Sequence, residues 1–384
     1  MDGIKKVILN IETSRAYGRG LLYGINVYSI AVGSWSFYQV SGGRERGLPS
    51  LSDWGADGAI VRETKDTHKV LSLGIPTVVC VDAHVASNAD ITLTTDQAEI
   101  AHLAAEHFLE RKYKNFAFSG PSRSWWVQER ELHFSKAIAD AGFKTAVFEH
   151  SAPAGKLTWS KAQSRTVQWL RSLPKPVALM AANDDHGQYI IECCKVAGLL
   201  VPGEIAVLGV DNDTMVCEFT MPSLSSIHLD TKCAGYHAAE LLDKLMRGEK
   251  CDGRQIKVPA THVVERASTD IMAIEDSLVA EAMHYIRSHS RDLIQVGDVA
   301  EAVSISRSVL DRRFRKAVGK SVQKEIRRLR AGRIAKLLIE TDMSITQISM
   351  AMNFAGIEHV GRYFKEEMGL SPLQYRKLHK GVTV

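Results

Sequence analysis

The chain has 384 residues, 45% of them apolar and 24% charged, which suits two or three domains with cores of their own. Its start, MDGIKKVILNIETSR, has no apolar leader core or cleavage site, and no apolar run is long enough to span a bilayer, so a cytoplasmic location is expected. Net charge is +4, but residues 278–384 hold 19 Lys and Arg against 11 Asp and Glu, while the first 277 residues hold 29 against 33; that asymmetry points to a basic domain that meets a polyanion.

KKVILNI reads as a strand and GRGLLYGINVYSI as a helix. SFYQVS, DGAIV, PTVVCVD and NFAFSG are further strand-like runs, separated by helical stretches such as DQAEIAHLAAEHFLERK. A second series follows: KTAVFEH, ALMAAN and IAVLGVD. Strand–helix alternation at this spacing argues for parallel sheets with helices on both faces. Two such series predict two doubly wound α/β lobes over residues 1–270. The long apolar helix TKCAGYHAAELLDKLMRG and the strand THVVERAST close this region, and residues 271–278 read as a linker. Residues 279–384 read as an all-α domain. Six cysteines show no C-x-x-C pair, so they read as buried or inert thiols, the adjacent Cys193 and Cys194 included.

In doubly wound sheets ligands bind at the carboxyl ends of the strands. The polar residues that follow strand runs are therefore the candidates: Ser14, Tyr17 and Arg19; Trp125, Trp126 and Arg130; Asn183, Asp184 and Asp185; and Asp211. Carboxylates, an amide and a guanidinium suit vicinal hydroxyls, and an indole face suits the C–H face of a pyranose. A small sugar is the expected ligand. Asp184 and Asp185 adjoin at a strand–helix junction, where neighbours point apart, and neither a nucleophile nor a metal-ligand set accompanies them; no enzyme, metal site or cofactor is expected.

The carboxyl-terminal third repeats a phrase. FRKAVGKS at 314–321 and FKEEMGLS at 364–371 align Phe314 with Phe364, Gly319 with Gly369 and Ser321 with Ser371. Each copy ends a short-helix, tight-turn, longer-helix unit. Ser306 and Ser344 suit helix N-caps, and Gly319 and Gly369 suit the left-handed residue that ends a helix. Apolar seams are expected through Val299, Leu310 and Phe314, and through Ile345, Ile348, Val360 and Phe364. A helix over Val322–Glu340 would join the units across about 28 Å at about 1.5 Å per residue, close to the roughly 34 Å of one duplex turn. Two readers so spaced can enter successive major grooves of double-stranded DNA. The block Ile305–Arg333 holds 11 basic and 2 acidic residues, which supplies phosphate affinity; Arg313, Arg315, Lys316, Arg327, Arg328 and Arg330 are expected to face phosphate or solvent.

The pattern from Ala300 through Phe314, Gly319, Ala335, Ile348, Phe354, Gly369 and Pro372 to Tyr375-Arg376 resembles the DNA-binding domain of the AraC family of transcription regulators. By that resemblance the base-edge readers would be Arg307, Ser308, Asp311 and Arg312 on the first recognition helix, and Ile357, Glu358 and Arg362 on the second. Asp311 would either accept from cytosine or orient Arg312 or Arg315. Asn353 stands where the family has Gly, and Asn tolerates the same left-handed turn. TTDQAEIAHLAAEHF, ERELHFSKAIADAG, AANDDHG and IAVLGVDND resemble the LacI/GalR regulators and the two-lobed periplasmic binding proteins. That likeness puts Arg130 and Asp211 first among ligand contacts, Asn183 or Asp184 next, then Trp126, Tyr17 and Ser14. The union of the two, with ERASTD, AMHYIR and SISRS, resembles the bacterial xylose-operon regulators. It implies an activator that senses D-xylose or a similar aldose, works as a homodimer and engages RNA polymerase. A ligand-released repressor and a sugar-transport binding protein remain the alternatives.

Overall fold

The computed structural model describes residues 4–32, 35–39, 54–64, 67–81, 89–121, 124–148, 158–249, 255–270, 276–341 and 343–379. The chain divides into two compact units, Met1–Asp270 and Ile271–Val384.

In chain order the first unit runs β1 (Lys6–Asn10), α1 (Ala16–Val32), β2 (Ser36–Gln39), β3 (Gly58–Arg62), α2 (Thr67–Leu71), β4 (Thr77–Cys80), β5 (Ile91–Thr95), α3 (Gln97–Glu110), β6 (Asn115–Ser119), α4 (Trp125–Asp140), β7 (Thr145–Val147), α5 (Trp159–Ser172), β8 (Val177–Ala181), α6 (Asp184–Ala197), β9 (Ile205–Asp211), α7 (Thr214–Phe219), β10 (Ser225–Leu229), α8 (Thr231–Met246), β11 (Gln255–Val258) and β12 (Ala260–Val264). These strands form two six-stranded sheets, β11-β5-β4-β3-β1-β2 and β12-β10-β9-β8-β6-β7. All pairings are parallel except β10 with β12. Apolar runs such as Val177–Ala181 are buried at every position, as parallel strands covered on both faces must be. Each fully buried Val, Ile or Leu adds about 1.5–3 kcal/mol.

The chain passes between the lobes three times, through Asp96, Asp230 and Pro259. These crossings are bonded to one another: Asp96 N–H donates to Val258 O at 3.1 Å and Asp230 N–H to Pro259 O at 3.0 Å. Asp96 and Asp230 also cap α3 and α8, so each crossing stops where a rigid helix begins. The second crossing returns α8 to the first lobe, where it packs on α1. Glycines set that approach: a Cβ on Gly24 would lie 2.0 Å from Lys232 O, and one on Gly235 2.2 Å from Leu21 O.

The second unit is helical: α9 (Ser277–Ser288), α10 (Val296–Ala302), α11 (Arg307–Val318), α12 (Val322–Glu340), α13 (Ile345–Ala351), α14 (Ile357–Met368) and α15 (Pro372–His379). Residues 271–275 of the expected linker lie outside the described residues. Its last two, Ser277 and Leu278, open α9 instead, because the Asp276 carboxylate caps their turn by accepting from Leu278 N–H and Val279 N–H. Two small cores follow. Val299, Leu310 and Phe314 pack with Val279, Met283 and Ile286 of α9 and with Val322 and Ile326 from the start of α12. Ile348, Met352, Val360 and Phe364 pack with Ile334, Ala335 and Leu338 from its end. One helix thus closes both cores, which fixes the two recognition helices α11 and α14 on a common 19-residue rod. Gly319 and Gly369 end them at φ 75°.

Candidate ligand cleft and nucleic-acid interface

The carboxyl ends of both sheets open on the space between the lobes of the first unit. Arg130 lies at its centre, 3% exposed. It sits one turn beyond Trp126 on α4, so the two share a helix face, and the guanidinium lies 5.0 Å from the indole centroid. Its Nε donates to Gln97 Oε1 at 2.8 Å and its Nη1 to Ala182 O. Burial lowers its pKa to about 10, while Asp211, Tyr17 and Asp184 pull it upward, so it stays cationic at neutral pH.

Asp211 ends β9 with φ 105°, followed by Asn212 at φ 51°. Two successive non-glycine residues in this region mark a held, strained turn. Burial pushes the Asp211 carboxyl up to about 6, with Arg130 pulling down, Asp185 pushing up and Arg62 pulling down. Asp184 is more deeply set, at 2% exposure. Its Oδ2 accepts from Asp213 N–H at 2.7 Å and its Oδ1 from Ser226 Oγ at 2.5 Å, so both oxygens are engaged by the protein. Burial, with Asp211 beside it, holds its carboxyl well above the usual range. Asn183 caps α6 by accepting from His186 N–H at 3.0 Å, which leaves its amide NH2 outside the cap. Tyr17 lines the opposite wall with Ile11, Glu12, Leu21, Arg62 and Cys80. Ser14 is exposed and donates to Glu12 Oε1. Trp125 is half-buried.

Arg62, Arg15 and Asp213 escape the strand-end reading. Arg62 closes β3 and pairs with Glu12 at 3.2 Å; the run DGAIVR carried the signal, since Arg62 ends its strand as Asp211 ends β9. Across the rim Arg15 pairs with Asp185 at 2.5 Å and Arg19 with Asp213 at 2.9 Å, and Ala16 N–H donates to Asp213 Oδ2 at 2.8 Å. Arg19 therefore bridges the lobes. Trp159, 70% exposed, stands edge-on to Tyr189 at 5.4 Å, and His186 beside it bonds Ser119 Oγ at 2.8 Å. His107 is a core residue: burial takes its pKa to about 3, and it bonds Thr269 Oγ1 at 2.9 Å. Cys193 and Cys194 are buried in the second lobe's core.

In the second unit Ser306 caps α11 through Val309 N–H at 3.4 Å, and Arg307, Ser308 and Arg312 on that helix are exposed. The Arg307 guanidinium rests on α10, where a Cβ on Gly297 would lie 2.1 Å from Nη2. Asp311 accepts from Arg315 Nε at 2.7 Å and from Val322 N–H at 3.3 Å. It therefore orients Arg315, not Arg312, and ties α11 to the start of α12. On α14, Ile357, Glu358 and Arg362 are exposed.

Three arginines expected at phosphate or solvent, Arg313, Arg327 and Arg330, hold helices together instead. Arg313 pairs with Asp276 through two bonds at 2.6 and 2.8 Å. Arg327 pairs with Glu366 and Glu367 of α14; Arg328, its side chain 41% exposed, pairs within α12 with the buried Glu325 at 2.7 Å. Arg330 is 3% exposed; it lies 4.1 Å from the Phe354 centroid and 5.7 Å from that of Tyr363, and donates to Met352 O. Charge counting misplaces them because a guanidinium facing aromatic rings and carboxylates of the next helix is better held there than in water.

Residues 105–269 match the periplasmic binding protein-like domain family, and residues 299–378 the helix-turn-helix domain family. The xylose operon regulatory protein of Escherichia coli K12 is 30% identical over 99% of this chain and 98% of its own length. That of Haemophilus influenzae is 31% identical over 74% of each. A solved structure of the xylose-binding transcription activator xylR superimposes with a TM-score of 0.86 at 29% identity, covering 98% of this chain and 99% of that one. A cellobiose complex of the regulator CelR shares the fold over 70% of this chain, with a TM-score of 0.55 at 20% identity. A two-lobed binding-protein unit followed by two helix-turn-helix units defines a ligand-responsive, DNA-binding transcription regulator. The chain belongs to the family of xylose operon regulatory proteins. That family is one of transcription regulators and not of enzymes, and among the described residues no helix is long and apolar enough to cross a membrane.

Proposed function

We propose that this regulator binds D-xylose between the lobes of residues 1–270 and, with the sugar bound, activates pentose-use genes through residues 279–384. The single observation that supports the ligand most is the buried Arg130 stacked on Trp126 with Asp211 and Tyr17 as electrostatic neighbours. A fixed cation and a carboxylate can together address adjacent hydroxyls, and an indole can cover the ring face. Arg130, Asp211 and the Asn183 amide would bond hydroxyls, Trp126 and Tyr17 would pack against the ring, and Ser14 would close the rim. Asp184 would position Asp213 and Ser226 and make no contact of its own. The choice of xylose rests on the relatives' names.

On DNA, Arg307, Ser308 and Arg312 from α11 and Ile357, Glu358 and Arg362 from α14 would meet base edges in successive major grooves. Arg315, steadied by Asp311, would meet phosphate. Sugar binding shifts the lobes towards a closed form, because only a ligand with higher affinity for one form can move the balance. A cytoplasmic homodimer that recruits RNA polymerase fits the activator reading. Calorimetry against D-xylose, L-arabinose, D-ribose and D-glucose tests the ligand. D-xylose should bind at least tenfold more tightly than the others, and no heat from any aldose would refute the proposal.

A further inference from the structure

The chain leaves the first unit through Glu265-Arg266-Ala267-Ser268-Thr269-Asp270, the stretch that follows β12. Arg266 is the anchor of this exit segment. Its Nε donates to Glu218 Oε1 at 2.8 Å, its Nη1 to Leu224 O at 3.0 Å and its Nη2 to Asn212 Oδ1 at 2.8 Å. Its backbone N–H donates to Ser225 Oγ at 2.8 Å, and Ser225 Oγ donates to its carbonyl at 2.9 Å. Further along, Ser268 Oγ donates to Val207 O at 2.6 Å, and Arg111 Nε to Thr269 O at 3.1 Å.

The two side-chain partners of Arg266 connect it to the elements that build the cleft. Asn212 is the second residue of the strained turn that carries Asp211. Glu218 lies at the far end of α7, and the other end of α7 is Asp213, which caps the helix through Met215 N–H. Asp213 is also the residue that receives Arg19 and Ala16 N–H from the opposite lobe. Between the two, Cys217 is fully buried. At six residues, α7 sets Asp213 at its first turn and Glu218 at its last, so one short helix separates the inter-lobe contact from Arg266.

We propose that α7 and Arg266 form a mechanical link that carries lobe closure from Arg19 and Asp213, through Glu218 and Asn212, to the exit segment that leads into the DNA-binding unit. Arg266 is a positioning residue: it touches neither the sugar nor DNA and sets how strongly one ligand changes the affinity for the other. This rests on the reading of the chain as a sugar-responsive regulator. Coupling of this kind is reciprocal and commonly amounts to about 5–150-fold; it requires an element whose two positions both sites bias.

The test uses the full chain and a duplex that the parent chain selects from a random pool. The coupling factor is the ratio of duplex affinities with and without saturating D-xylose. Glu218→Gln removes the ion pair at a partly exposed position, and Arg266→Met removes all three guanidinium bonds. Each should reduce the coupling factor to below about one third of the parent's, while both chains keep D-xylose affinity within about threefold. Arg266→Lys, which can still reach Glu218, should restore part of it. If Arg266→Met fails to fold, Glu218→Gln decides. A coupled parent with an equally coupled Glu218→Gln overturns the link alone. A parent whose duplex affinity ignores D-xylose overturns the underlying regulator reading.

Discussion

Among the described residues each unit of the chain buries one arginine almost completely, and the two sites are alike in parts. Arg130 and Arg330 are both 3% exposed. Each stacks on an aromatic ring, Trp126 at 5.0 Å and Phe354 at 4.1 Å. Each donates to a main-chain oxygen, Ala182 O and Met352 O respectively. They differ in what else surrounds them. Arg130 has Asp211, Tyr17 and Asp184 as electrostatic neighbours, a set of acceptors and donors gathered at strand ends. Arg330 is enclosed by Phe354 and Tyr363, and its Nε has no hydrogen-bond partner. The first is a polar centre at an opening, and the second is a peg between α12 and the second helix-turn-helix. Burial of a cation does not by itself define its role; the groups that converge on it do.

Five experiments test the difference between these two sites. The largest effect is expected from Arg330→Ala, which should destabilise the second unit by about 3 kcal/mol by losing two cation–π contacts and the bond to Met352 O. Duplex binding should vanish at the growth temperature while calorimetric D-xylose binding is unchanged; a variant that still binds DNA with normal affinity would remove Arg330 from the architecture. Arg130→Ala should behave in the opposite way. Its D-xylose affinity should fall by about 2–5 kcal/mol, because truncation leaves buried partners unpaired, with sugar-free duplex affinity unchanged.

Arg362→Ala should cost about 1–3 kcal/mol of duplex affinity and relax the selected sequence at one position. Arg315→Ala should instead weaken all duplexes alike and reduce the salt slope by about 1. The smallest effect is in pH. Because the Asp211 carboxyl is raised to about 6, it becomes protonated as pH falls through that value, and a hydroxyl donor then loses its charged acceptor. D-xylose affinity should fall with decreasing pH below about 6 and be flat above it, and Asp211→Asn should abolish the slope. Stability responds with the opposite sign. The unfolded carboxyl releases its proton first, so this group lowers stability as pH rises from about 4 to about 6, and weaker binding at low pH is then not loss of fold.

Much of the second unit was legible because local rules decide it. Ser306 and Ser344 cap where hydroxyls before apolar-periodic runs should, the linking helix spans the expected Val322–Glu340, and Asn353 takes φ 53° in the turn where a glycine was replaced. In the first unit nine of the twelve described strands were legible for the same reason; β5, β10 and β11, short and rich in Thr, Ser or Gln and Lys, were not, and NFAFSG, read with the first series, pairs as β6 in the second sheet. The rim pairs Arg15 with Asp185 and Arg19 with Asp213 were not, because each joins residues about 170 or more positions apart that only the two-lobed fold brings together. Arg330 was misread because a linear count of charge carries no information on which face of α12 meets Phe354 and Tyr363. For Asp184 the place after a strand was legible, while its bonds from Asp213 N–H and Ser226 Oγ, 29 and 42 positions away, were not.

The central claim is that occupancy of the cleft by a sugar changes how the helical unit holds DNA. The most direct measurement is fluorescence anisotropy of a selected duplex, titrated with the full chain at one fixed salt concentration, with and without saturating D-xylose. D-xylose should raise the affinity by about fivefold or more, and Arg130→Ala should lose the gain. Equal affinity in both titrations of the parent chain would mean that the cleft does not control DNA binding.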